Sequence, residues 1–128
     1  FLPFYSEYPY GVYIGAKRHI QNLTQMTDRE KTNLAKILKE TAGTLDSLFD
    51  YAFPYMMCMY QNPVNGEDVS EYYHFHIAFY PPMRSADKIK YNASSETGAW
   101  AHCNPTAPEE KAKELRAAHE KFLKKIGR

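Results

Sequence analysis

The sequence lacks most of the features that would assign a function by class alone. It has only two cysteines, Cys58 and Cys103, far apart and outside any CxxC pair. That spacing signals neither a zinc knuckle nor a disulfide framework, and it suits a reducing cytoplasm. No charge of one sign dominates: 16 basic against 15 acidic residues leave a net +1. A field that weak argues against nucleic acid or an anionic membrane as the main partner. No apolar run approaches the length of about 18 residues needed to cross a bilayer, and no basic-then-apolar leader opens the chain. No internal repeat is visible. What remains is a chain of 128 residues, 44% hydrophobic, enough for one domain with a real core. Its eleven Tyr and seven Phe favour an interface or a sugar-stacking surface wherever they are not buried.

The first run, Phe1-Leu2-Pro3-Phe4-Tyr5, is apolar and aromatic from its first residue and reads as the middle of a strand, part of something longer. Ser6 to Tyr10 suits a turn, and Gly11 to Ala16 reads as a second strand, so the two should form a hairpin. Lys17-Arg18-His19 then reads as a solvated strand end. Thr27-Asp28-Arg29-Glu30 has the form of a capping box, and Leu34, Ile37, Leu38, Leu45, Leu48 and Phe49 continue a helical stripe that Phe53-Pro54 should close. Gly43 inside that stripe points to a bend or a close approach. Pro54 to Gln61 reads as a third strand whose Met and Cys fill the core. Asn62 to Asp68 is rich in turn residues, so that strand should pair antiparallel with the next one. Residues 84–99 read as a surface loop able to wrap a polar ligand. Thr106-Ala107-Pro108-Glu109 is a second capping box opening a final amphipathic helix through Leu115, Ala118, Phe122 and Ile126. The order predicts an α+β domain, an antiparallel sheet with two helices packed on one side.

The stretch with the most chemistry is Tyr73-His74-Phe75-His76-Ile77-Ala78-Phe79-Tyr80. Strand alternation puts His74, His76, Ala78 and Tyr80 on one face and buries Tyr73, Phe75, Ile77 and Phe79 on the other. Two imidazoles on a rigid support can serve as metal ligands, as a general base or as a nucleophile.

Taken together, Phe1-Leu2-Pro3-Phe4, Tyr8-Pro9-Tyr10, Lys17-Arg18-His19, Leu48-Phe49-Asp50, Phe53-Pro54-Tyr55-Met56-Met57 and His74 to Pro82 leading into Arg84-Ser85-Ala86 resemble the C-terminal half of the galactose-1-phosphate uridylyltransferase family. That family is a two-lobed branch of the histidine triad superfamily, and the resemblance covers all 128 residues as one histidine-triad-like lobe. It implies a uridylyl group passed between UDP-sugar and hexose 1-phosphate through a nucleotidyl-histidine, with the nucleophilic His-Pro-His segment in the other lobe. It also implies a cytoplasmic homodimer, with zinc and possibly iron in the whole protein. Residue by residue, His76 falls on a family metal ligand. Ala78 and Tyr60 stand where the family often has further histidines, so the site is degenerate and this chain is expected to bind no metal. Lys90, Tyr91, Ala93, Ser95 and Glu96 fall on hexose-contacting positions, although many members have Tyr at the position of Ser95. Two other readings compete. One is a stand-alone histidine triad enzyme with His76 as nucleophile, against which Ala78 argues, and the other is a non-catalytic interaction domain.

Overall fold

The computed structural model describes residues 1–128. Its central element is the histidine strand. β1 (Tyr13–Gly15), β2 (Met56–Tyr60) and β3 (His76–Tyr80) form an antiparallel sheet in the order β1-β3-β2. In register, Gly15 and Tyr60 flank His76, while Tyr13 and Cys58 flank Ala78. The expected alternation holds for Phe75, Ile77 and Phe79, whereas Tyr73, also expected inside, precedes the strand and is only half-buried. Phe75, Ile77 and Phe79 are fully buried and join Leu45, Phe53 and Leu115 in one core. Each contributes roughly 1.5–3 kcal/mol by leaving water. Ala78, expected on the other face, is also buried.

Two long helices pack against each other beside this core: α1 (Asp28–Phe49) and α3 (Pro108–Lys125). α1 begins as its sequence dictates. The Thr27 hydroxyl accepts the Glu30 amide at 3.3 Å, and Glu30 returns its carboxylate to the Thr27 amide at 2.8 Å. Arg18 clasps the same carboxylate through two nitrogens and also donates to the Gln25 carbonyl at 2.7 Å. Arg18 of the basic cluster therefore braces a helix start, where the sequence suggested only a solvated strand end. Gly43 lies where the two helices meet, and a Cβ there would overlap three carbons of the Phe122 ring. Close approach, the second of the two sequence expectations for this glycine, is the observed one.

Several expectations need correction. Phe1–Tyr5 is not a strand: Phe1 makes a single reciprocal backbone pair with Tyr13, at 2.8 and 2.9 Å, after which the Ser6 amide closes a turn onto the Pro3 carbonyl at 3.1 Å. Pro3, having no N–H, cannot extend a ladder there. α1 ends at Phe49, short of Phe53-Pro54, because Asp50 takes the left-handed conformation at φ 60° and is held by Lys121 and Lys125 of α3. β2 is exposed along its whole length, so its Met and Cys side chains are not core filler within this chain. The region expected to be loop holds a small hairpin, β4 (Met83–Ser85) with β5 (Lys88–Ile89), and a third helix, α2 (Ser94–Ala99). Thr106 is not a helix cap: Asn104 Oδ1 captures its amide at 3.0 Å and its hydroxyl at 2.7 Å, leaving Ala107 to open α3 with Pro108 in the first turn.

Candidate functional site

On the open face of the sheet, the two histidines do different jobs. His74 precedes the strand and its Nε2 lies 2.7 Å from the Ala16 carbonyl, which can only accept, so this imidazole is a donor bracing β1. Its ring also lies 5.4 Å from that of His19. His76 Nδ1 lies 2.9 Å from the His74 carbonyl. The same logic puts the proton on Nδ1 and leaves Nε2 of the neutral ring with a free lone pair. That ring is stacked between Tyr60, at 4.7 Å and 12°, and Tyr13, at 6.0 Å and 10°. The Tyr60 and Tyr80 hydroxyls are hydrogen-bonded to each other at 2.6 Å. Burial, together with that bond, raises the Tyr80 pKa, and burial does the same for Tyr13. Tyr80 and Tyr13 therefore stay neutral and are poor anionic ligands at physiological pH. No group of three or more His, Cys, Asp or Glu side chains is placed to hold a metal ion. One imidazole between two phenol rings does not fit the zinc or iron that the resemblance implies.

The downstream loop is built around a buried ion pair. Lys90 and Glu96, on either side of the start of α2, bond to each other with side chains only 3% and 2% exposed. Glu96 Oε1 also accepts the Cys103 amide at 3.1 Å, and Oε2 accepts the Ala93 amide at 2.6 Å. One carboxylate thus pins both ends of the helix. The Lys90 ammonium, followed by the two amides, holds the Glu96 carboxyl down at about 2. Lys90 is fastened to the sheet in turn. Its amide binds the Pro82 carbonyl at 2.6 Å, and its ammonium lies 5.2 Å over the Tyr8 ring, which packs edge-on against Tyr80. Of the five residues expected to contact hexose, Lys90 and Glu96 therefore lie inside, bonded to each other. Tyr91 and Ala93 are exposed and Ser95 is half-buried, its hydroxyl 3.4 Å from the Cys103 thiol. Sequence reasoning missed His102, whose Nδ1 lies 3.5 Å from Glu7 and 3.8 Å from Glu96. No motif signals that meeting, because Glu7 is 95 positions away and only the fold joins them.

An antiparallel sheet carrying two half-buried histidines, with two long helices packed together and a pinned polar loop, is the architecture of a uridylyltransferase domain. A solved uridylyltransferase mutant is 38% identical and aligns with 96% of this chain and 40% of its own at a TM-score of 0.86. The fold also recurs, at 22% identity and a TM-score of 0.77, in an ADP-glucose phosphorylase from Arabidopsis thaliana. Residues 1–123 match the model of the galactose-1-phosphate uridyl transferase C-terminal domain, and the chain belongs to that family. Galactose-1-phosphate uridylyltransferase of Thermotoga maritima is 50% identical over 115 residues, 90% of this chain. The Haemophilus influenzae protein of the same name is 36% identical over 124 residues, 96% of this chain. The chain spans only about a third of these relatives, 36% and 35% of their lengths.

Proposed function

We propose that this chain is the hexose-holding half of a UDP-glucose–hexose-1-phosphate uridylyltransferase. The observation that carries the reading is the 50% identity to the Thermotoga maritima protein across 90% of the chain. In the proposed reaction a histidine of the other, N-terminal lobe attacks the α-phosphorus of UDP-glucose. An N–P bond forms as the P–O bond to glucose 1-phosphate breaks, and galactose 1-phosphate then takes the uridylyl group by the reverse displacement. This domain's own residues do the holding. Lys90 and Glu96 fix the loop, so that Tyr91, Ala93, Ser95 and the surrounding backbone face the sugar hydroxyls.

His76 does not serve as nucleophile in this reading. Its Nε2 lone pair is available, but Ala78 supplies no neighbouring acid for the leaving group. Its surroundings also favour no resident metal in this lobe, whatever the other lobe holds. The exposed β2 supports a partner on that side of the sheet, the N-terminal lobe within a histidine-triad-like two-lobed subunit, and we propose a cytoplasmic homodimer. No helix is long and apolar enough to cross a membrane.

The test is exchange by the whole protein containing this chain. Incubated with UDP-glucose and galactose 1-phosphate, it should release glucose 1-phosphate and UDP-galactose in equal amounts. Hydrolysis of UDP-glucose without exchange would contradict the proposal.

A further inference from the structure

We propose that Trp100 is a stacking platform for the pyranose ring of the hexose, an inference that rests on the reading of the 90–103 loop as the sugar-holding segment. Two features of this residue are at odds unless the indole has a use. Its backbone caps α2 in the left-handed conformation, φ 53° and ψ 26°, which Gly or Asn adopts with less strain than a bulky side chain. Its indole, the only one in the chain, is nevertheless 84% exposed and is absent from every ring pair and cation–π contact. Packing inside the chain therefore does not account for a tryptophan here. The strained backbone is instead held from beneath. The amides of Trp100 and Ala101 both reach the Ser95 carbonyl, the latter at 3.1 Å, and the Cys103 amide is bound by the buried Glu96 carboxylate. Strain kept in place by its surroundings is a recurrent property of ligand clamps.

The chemistry of the neighbourhood selects the ligand class. A pyranose has a face of C–H groups that packs on a flat π surface and a rim of hydroxyls that need polar partners. The same loop offers the Ser95 hydroxyl and the His102 imidazole, with the Glu7 carboxylate 3.5 Å from the latter. The indole supplies the apolar surface that these polar groups lack.

The test uses the whole transferase. Trp100→Ala should raise KM for galactose 1-phosphate about tenfold, the size of one aromatic stacking contact, with kcat nearly unchanged. Trp100→Phe should restore most of the affinity, and inhibition by UMP, which has no hexose, should stay at the parent value. Trp100→Gly should match or exceed the parent melting temperature, because relief of the left-handed strain shows that lost affinity is not lost folding. A parent-like KM in Trp100→Ala overturns the platform. So does an equal loss of UMP binding, which would assign the indole to the base, and so does dissociation of the assembly on size exclusion, which would make it a subunit anchor. If the unmodified protein performs no exchange at all, the hexose reading itself fails and the platform falls with it.

Discussion

Gly43→Ala lowers the melting temperature of this domain by several degrees, although an alanine in a helix interior normally adds about 1 kcal/mol of stability over glycine. The sign reverses because the new methyl group has no room. It would overlap the Phe122 ring at Cε2, Cδ2 and Cζ, so the ring must shift at the seam where α3 packs on α1. Overpacking of this kind costs about 1–3 kcal/mol, enough to outweigh the helix propensity. Thermal unfolding followed by circular dichroism measures the shift. The double variant Gly43→Ala with Phe122→Leu should lose less than the two single changes combined, since the smaller side chain admits the methyl group. A Gly43→Ala protein as stable as the parent would show that the helices pack elsewhere.

Glu96→Gln has the largest expected effect on substrate handling. The carboxylate holds Lys90 and the amides of Ala93 and Cys103 at once, whereas a neutral amide cannot balance the buried ammonium and accepts through one oxygen only. The loop then loses its fixed shape, and kcat/KM for galactose 1-phosphate should fall about a hundredfold, the usual consequence of misplacing substrate by an ångström. An unchanged value would remove Glu96 from the site. Acid titration supplies a second readout. The Glu96 pKa is lowered to about 2 from an ordinary 4.5, with the Lys90 hydrogen bond as the main cause. A depressed folded-state pKa contributes stability that is fully present above 4.5 and is lost as pH falls towards 2. Glu96→Gln should therefore flatten the stability curve across that window. Glu30, also held down at about 2 by Arg18 and Thr27, should leave a remaining slope.

What could be read in advance follows the range of the interactions. The alternation of Phe75, Ile77 and Phe79 and the box of Thr27 with Glu30 are local patterns, and both stand in the fold. Where local signals compete, the reading fails. Thr106 has the form of a cap, but Asn104 lies two residues earlier and takes its hydrogen bonds first. Phe1 to Tyr5 has strand composition, but Pro3 and a turn stop the ladder after one pair. β2 has the apolar composition of a buried strand, yet it lies exposed along its length in this chain. At the loop, the resemblance named Lys90 and Glu96 as hexose contacts and gave no sign that they would bond to each other. Six residues apart, they meet only because α2 folds the chain back, and α2 itself is a six-residue helix with no side-chain cap at Ala93.

We propose that this domain holds the sugar while the covalent step occurs on a histidine outside it. The most direct test is to expose the whole protein to UDP-glucose, trap the intermediate and locate the added UMP by peptide mass spectrometry. The adduct is expected on a His-Pro-His histidine outside the 128 residues and should still form in His76→Ala. UMP attached to His76, and lost in that variant, would contradict it.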